Sequence, residues 1–352
     1  MDNNIIALKV LFEKIKFQRP RPHNYFSDDK ELFFTHEQSA WPIYYDVLHN
    51  VSINHELFVK RNLKILPLSF GHPWQNEKYN TPFYLLKNGV KNLLRKDVKV
   101  DSVLWILDQF STGGYYHWLT EILPRLWVAN EVQELPLDIP IYLPEYFFHK
   151  WSFGPDLLRP FKREYRKFKP SNLLKVSNMH FISQPGGPLA FQPKPLMSST
   201  KVLLDYYYRS DYKNGCDKIY ISRNRGNKRL LTNEAAILPD LKKRGFKIVY
   251  TEELNVEEQI NLFSRAKVLV SIHGAGMTNM VFMKSNSIIL EIRNPLPDHM
   301  NNCFLALADT LGHRYHYFLG SMKQKRNEKR PIDYSLSVDV ESFESSLDKL
   351  NI

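Results

Sequence analysis

Val268-Leu269-Val270-Ser271-Ile272-His273-Gly274-Ala275-Gly276-Met277-Thr278-Asn279 decides how this chain folds. Four of the first five residues are apolar and three are β-branched, which marks a buried strand. A Gly-x-Gly step follows, where missing Cβ atoms let the backbone bend tightly. Met277 to Phe282 can then open a helix, whose first amides find no partner inside it. Strand, glycine turn and helix start together make a site for a phosphate or diphosphate. The competing reading is a tight turn that binds nothing, and the flanking sequence shifts the balance.

Upstream, Lys218-Ile219-Tyr220-Ile221-Ser222 reads as a strand, followed at once by Arg223, Arg225 and Arg229. A helical stretch from about Asn233 to Arg244, a glycine at 245 and the strand Phe246 to Tyr250 come next. Asn255 with Glu258 three residues on is a helix-start signal, and Ile260, Phe263 and Ala266 form an apolar face. Ser287 to Ile292 is another strand. Strands alternating with helices predict a parallel sheet, with ligands held beyond the C-terminal strand ends. Arg223 and the His273 turn both fall at such ends.

Tyr220-Ile221-Ser222-Arg223, Arg229, Gly245-Phe246, Glu258-Gln259, Ala266, His273 to Asn279 and Glu291, in this order, resemble glycosyltransferase family 61. His117-Trp118-Leu119 with Leu123-Pro124-Arg125-Leu126 resembles that family's other recurring block, and the likeness covers about residues 100 to 295. The resemblance implies an α/β chain of GT-B architecture, two Rossmann-like domains with parallel sheets facing a central cleft. It implies inverting sugar transfer from a nucleotide-sugar donor. Pro239 departs from the pattern: it is expected to kink the preceding helix or delay its start to about Leu238.

The 352 residues are long enough for two cores, with 43% hydrophobic and 24% charged residues. Cys216 and Cys303 make neither a disulfide framework nor a metal cluster, which fits a reducing compartment. No apolar run reaches membrane-spanning length, and Lys9, Lys14 and Lys16 interrupt the N-terminal apolar residues. Because eukaryotic members of the resembled family carry an anchor or secretory signal, a bacterial-type, cytoplasmic chain is expected. Peripheral contact with an anionic inner-membrane face is a further expectation. It rests on the net charge of +11 and on the clusters Lys162-Arg163, Arg166-Lys167-Lys169 and Lys323-Lys325-Arg326 with Lys329-Arg330. Phe161, Tyr165 and Phe168 interleave the first of them. Ile5, Leu8, Val10, Leu11, Phe12 and Ile15, mixed with lysines, can form a helix lying on a membrane or packed on the first domain. Surplus charge that merely keeps the chain soluble is the plainer account. No nucleic-acid recognition motif is present.

Gln184-Pro185-Gly186-Gly187-Pro188, with Pro193 and Pro195, reads as a loop or linker, and Ser199 to Arg209 as a helix. The expected division is 1–196 for an acceptor-side domain, 197–320 for a nucleotide-sugar domain, and 321–352 for a basic segment ending in a helix over Ser342 to Leu350. In the first half, Val103 to Leu107 and Ile139 to Leu143 read as strands and Tyr116 to Ala129 as a helix. Residues 1 to 95 resist parsing.

Inverting transfer needs a base for the acceptor hydroxyl, positive charge for the leaving diphosphate, and a sugar held for in-line attack. Arg223, Arg229 and the amides from Gly274 through Ala275, Gly276 and Met277 to Thr278 are the leaving-group candidates, since a guanidinium fork matches phosphate oxygens. His273 is read either as touching phosphate or sugar or as a buried histidine bonded to backbone. Glu291 either accepts from the nucleotide ribose or forms an internal ion pair, and Asn279, at the end of the turn, is a further donor-binding candidate.

For the base, His117 follows Gly113-Gly114, with Glu121 one helical turn on to orient it and Arg125 a turn further. Asp108, at a strand end, competes for that role, and a Glu121–Arg125 pair is the alternative to the His117–Glu121 couple. Tyr115 and Tyr116 are acceptor-side candidates. A metal site on His117 and Glu121 lacks a third ligand, so no cofactor is required beyond the nucleotide-sugar co-substrate, UDP-linked by first preference. The family resemblance further implies a glycan or lipid-linked acceptor hydroxyl, in capsular or surface polysaccharide synthesis. A non-catalytic module of the same fold, holding a nucleotide or glycan without turning it over, is the rival.

Overall fold

The computed structural model describes residues 9–33, 37–62, 64–70, 73–187, 189–226, 228–297, 299–323 and 333–352. The chain divides into two compact units. The first draws on Met1–Ile15, Ala40–Gly187 and Lys194–Val202, the second on Lys16–Ser39, Pro188–Pro193 and Leu203–Ile352. The expected division at 196/197 and 320/321 therefore differs in three places. Lys16–Ser39 lies with the second unit, the later boundary falls inside the helix Pro193–Tyr207, and the C-terminal segment belongs to the second unit.

The second unit is built on a five-stranded parallel sheet in the order Lys247–Val249, Lys218–Ile221, Val268–Ile272, Ile288–Arg293, Arg314–Leu319. Numbered along the chain the order is 2-1-3-4-5, so the direction of winding reverses between Lys218–Ile221 and Val268–Ile272. Open α/β sheets bind ligands beyond the strand ends at such a reversal. The strand Val268–Ile272 is buried at every residue, which explains why its sequence is apolar on both faces except at Ser271, whose hydroxyl donates to the Ile221 carbonyl at 3.1 Å.

Local signals set the helices of this unit. Asn255 and Glu258 form a reciprocal capping box at the start of Val256–Phe263. The helix Glu234–Lys243 runs through Pro239 instead of starting near Leu238. Burial of Ile237 and Leu241 on either side outweighs the one amide that proline lacks. The C-terminal helix Val340–Lys349 sends Phe343 and Leu347 into the same core as Ile237, Leu241, Val270 and Leu290.

The first unit departs from the expected parallel sheet. Its eight strands make a mixed sheet with the path Lys64–Ile65, Val59–Arg61, Ile43–Ile53, Asn172–Ile182, Lys96–Trp105, Ile141–Pro144, Tyr165–Phe168. Lys9–Phe12 adds to Ile43–Ile53. The pairs from Asn172–Ile182 to Tyr165–Phe168 are parallel, whereas Ile43–Ile53 runs antiparallel to Asn172–Ile182 and to Val59–Arg61. Short connections between Ile53, Val59 and Lys64 allow only hairpins, which forces antiparallel pairing in the part of the chain that resisted parsing.

Three further expectations change. Lys9–Phe12 and Ile15–Gln18 are strands rather than a surface helix. The helix expected at Ser199 begins at Pro193, because prolines at 193 and 195 occupy a first turn whose amides need no internal partner. Arg163 of the first basic cluster is buried, with Nη1 donating to the carbonyls of Pro136 at 2.9 Å and Ile139 at 3.0 Å. Ile5, Leu8, Pro188, Lys325, Arg326, Lys329 and Arg330 lie outside the described residues. Among the described residues no helix is long and apolar enough to cross a membrane.

Candidate functional site

In the second unit, the sheet order brings Arg223 to the glycine turn. Lys218–Ile221 and Val268–Ile272 are adjacent and in register, with Ile221 opposite Ser271, so Arg223 and His273 leave neighbouring strands on the same edge. A Cβ placed on Gly274 would overlap the Arg223 guanidinium, so any other residue there must displace this side chain from its seat. Gly276 is also closely approached, its missing Cβ lying 3.2 Å from Thr251 Oγ1.

Arg223 is poor in partners. Its Nη2 makes one long hydrogen bond to the Lys228 carbonyl at 3.4 Å, and its Nε is buried without a partner. Burial, then the like charge of Arg229, pulls its pKa down to about 10. It stays charged at neutral pH, with Glu252 acting against the shift but not overcoming it. Elsewhere in the same run the cations are neutralised: Arg225 pairs with Glu253 and stacks on Tyr250, and Lys228 lies 3.2 Å from Asp333. Arg229 adopts φ 55°, a left-handed conformation that costs a side chain about 1 kcal/mol or more. Its amide is held by the Asp333 carbonyl at 3.3 Å.

His273 and Glu291 form an internal couple. His273 Nδ1 lies 2.5 Å from Glu291 Oε1, and Tyr315 donates to Glu291 Oε2 at 2.5 Å. Glu291 is wholly buried, so it does not present its carboxylate to a ribose; it orients His273. Burial lowers the pKa of His273, and Arg229 and Arg293 add to this, outweighing Glu291. The ring is therefore neutral with its proton on Nδ1, which leaves Nε2 an acceptor for a hydroxyl rather than a donor to phosphate.

Past the glycines the turn becomes a 3-10 helix, Ala275–Phe282, not the expected regular helix. Met277, Thr278 and Asn279 point inward and are buried. Asn279 ties the turn to the neighbouring helix through Gln259 Oε1 at 2.9 Å. Only Ala275 and Gly276 of the turn keep partial exposure, so contact with a ligand here falls to backbone.

In the first unit, His117 ends a short helix, Tyr115–His117, that continues as a π turn, Trp118–Ile122, and an α-helix, Leu123–Glu131. Pro124 explains the widened turn: it has no amide for the Thr120 carbonyl. His117 Nδ1 meets Glu121 Oε1 at 2.7 Å. Burial opposes charge on His117, but Glu121, with Asp108 beyond, outweighs it and raises the pKa. A Cβ on Gly113 would overlap the His117 ring, so this glycine too is required by a functional candidate.

Asp108 is not a free base. It is buried, ion-paired to Arg125, and accepts from the Ser111 amide at 3.1 Å. Burial alone would raise its pKa, yet Arg125 and Ser111 hold it below the usual carboxylate value. Arg125 thus pairs with Asp108 and not with Glu121. Tyr115 packs edge-on to Phe153 at 5.2 Å, and burial raises its phenol pKa; Tyr116 packs against the His117 ring at 5.3 Å. Among the described residues no three His, Cys, Asp or Glu side chains converge as metal ligands.

Sequence reasoning missed Tyr315 and Arg293. Arg293 stands two residues after Glu291 on one strand, so period-2 alternation puts both on one face. It is fully buried, donates to Asn302 Oδ1 at 2.8 Å, and lies over the Phe33 ring at 4.7 Å. That signal was present. The pairing of Tyr315 with Glu291 depends on strand order and had none.

Residues 115–290, half of the chain, match the family described as Glycosyltransferase 61. An alpha-1,3-arabinosyltransferase of Oryza sativa subsp. japonica is 27% identical over 275 residues, 69% of this chain and 46% of its own length. A second alpha-1,3-arabinosyltransferase from the same plant is 28% identical over 135 residues, 36% of this chain and 22% of its own length. A protein O-linked-mannose beta-1,4-N-acetylglucosaminyltransferase 2 of Tetraodon nigroviridis is 23% identical over 242 residues, 61% of this chain and 42% of its own length. The chain spans less than half the length of these relatives.

Proposed function

The chain belongs to glycosyltransferase family 61, and from that membership we propose that it transfers a sugar from a nucleotide-diphosphate donor to a hydroxyl of a glycan or lipid-linked acceptor, with inversion. The observation that carries the reading is the buried Arg223 guanidinium seated on Gly274 at the winding reversal, near Arg229, with one long hydrogen bond and only the weaker pull of Glu252 to offset its charge. A buried guanidinium with one long hydrogen bond can take an anion at its open edge, and a diphosphate supplies one.

In this reading the acceptor oxygen attacks the anomeric carbon as its proton passes to His117 Nε2. The bond from the anomeric carbon to the diphosphate oxygen breaks, and the departing negative charge is taken up by Arg223, Arg229 and the backbone of Ala275 and Gly276. Glu121 steadies the imidazolium that forms. His273 Nε2 accepts from a donor hydroxyl, with Glu291 and Tyr315 fixing its ring. Protein cations do the work of a metal, so transfer proceeds in a chelator. A GT-B architecture completes the proposal, with a capsular or surface polysaccharide as product.

Thermal melts with a panel of nucleotide-sugars and free nucleoside diphosphates test it, because a ligand that prefers the native form raises the melting temperature. One donor and its diphosphate are expected to stabilise the wild type but not Arg223→Ala. Transfer is expected to vanish in His117→Ala while that stabilisation persists. Donor binding with no turnover on any acceptor would leave the non-catalytic module instead.

A further inference from the structure

The helix Pro82–Leu93 is inside out. Its N-cap, Thr81, accepts from the Tyr84 amide, and Pro82 opens the first turn, so the element is well started. Yet its inward arc is polar apart from the half-buried Leu85. Asn88 is buried, the Tyr84 hydroxyl donates to Glu56 Oε2 at 3.1 Å, and Asn92 Oδ1 accepts from Asn54 at 3.4 Å and from Arg95. Phe83, Leu86, Val90 and Leu93, with Leu94 just beyond the end, are between 55% and 86% exposed. At 100° per residue all five fall on one outward arc. Folding buries the apolar face of a helix, so one turned outward against that drive marks a surface that meets something else.

The flanking charge says what that is. From Pro82 to Lys96 the chain carries Lys87, Lys91, Arg95 and Lys96 and no carboxylate. Lys87 and Lys91 are exposed and run along one margin of the apolar arc. Large apolar side chains edged by lysines are the make-up of a helix lying in the interface of an anionic bilayer, with acyl chains under the arc and head groups against the ammoniums. A protein groove is served by the apolar arc but gives the lysines nothing unless it is acidic. The helix also lies outside residues 115–290, which match the family.

We propose that the outward face of Pro82–Leu93, through Phe83, Leu86, Val90, Leu93 and Leu94 with Lys87 and Lys91, docks this protein on an anionic membrane surface. The contact serves a transferase whose acceptor is lipid-linked, but it does not depend on the transfer chemistry and can be tested without it.

The test is flotation of the full chain with phosphatidylcholine vesicles, with and without phosphatidylglycerol. Wild type is expected to float with the anionic vesicles and to bind at least tenfold more weakly to the neutral ones. Leu86→Glu with Leu93→Glu is expected to lose at least tenfold in binding while keeping its melting temperature and its response to nucleotide. Phe83→Trp is expected to show a blue-shifted emission only with anionic vesicles. Equal binding to both vesicle types, retention by the double variant, or an unshifted tryptophan overturns the proposal. So does a wild-type dimer in solution that the double variant splits, which would make the occupant a second copy. Loss of nucleotide response in wild type with flotation intact would instead remove the transferase reading and leave the docking surface standing.

Discussion

Gly274 shows how much depends on one missing methyl group. Its Cα is the floor on which the Arg223 guanidinium rests, and alanine there would displace that side chain. Gly274→Ala is expected to weaken nucleoside-diphosphate binding by roughly 10- to 100-fold, the worth of a charge-assisted hydrogen bond or two. In Arg223→Ala the same glycine substitution is expected to do little more. The two losses should therefore not add, and calorimetric titration of the four proteins measures the coupling. A second residue-scale expectation concerns His117. Its pKa is raised by Glu121, and a base must be deprotonated to act, so the acid limb of kcat/KM should lie above the ordinary histidine value of about 6.5. Glu121→Gln removes the raising charge, so the limb should move to lower pH. A pH–rate profile in which the limb stays put or moves up would remove His117 from the role.

Among the elements, Val256–Phe263 braces the turn. Its capping box fixes where it begins, and Gln259 on its buried side holds Asn279 beyond the glycines. Asn255→Ala is expected to lose about 1 kcal/mol of stability, read by denaturant unfolding, because the cap satisfies an amide that otherwise has none. Donor affinity should hold, since the helix stays packed through Val256, Ile260 and Phe263, all buried. The π turn before Leu123–Glu131 is the corresponding device in the first unit. It follows from Pro124, and the His117–Glu121 bond is made across it.

For the whole molecule, buried histidines set the response to acid. His316 is 7% exposed, rests against His23 at 5.3 Å, and is lowered to about 4 by burial, His23 and Arg314. As pH falls from about 6.5 to 4 the unfolded chain takes up a proton that the folded chain refuses, so stability is lost across that window. The full shift amounts to about 3 kcal/mol at roughly 1.4 kcal/mol per unit. His273, lowered for the same reason, acts in the same direction. His316→Phe should flatten the fall, measured as unfolding free energy against pH. A slope unchanged between wild type and variant would assign the acid sensitivity elsewhere.

Where the sequence carries its own local physics, it was enough. The strand Val268–Ile272, the Asn255 cap, the helix between Asn233 and Arg244, and a glycine turn after a buried strand all follow from periodicity, capping and the missing Cβ. The placement of arginine and turn at strand ends follows from alternation of strand and helix. What no local rule contains is which strands become neighbours. The 2-1-3-4-5 order seats Arg223 on Gly274 and brings Tyr315 to Glu291, and it is fixed by packing over the whole sheet. Asp108 failed as a base for the same reason, since its partner Arg125 stands 17 residues away and only the fold closes that pair. The mixed sheet of the first unit was hidden too, because hairpin pairing in residues 43 to 65 is a choice among partners. Chain-local energies choose elements; only the burial of one element against another chooses their company.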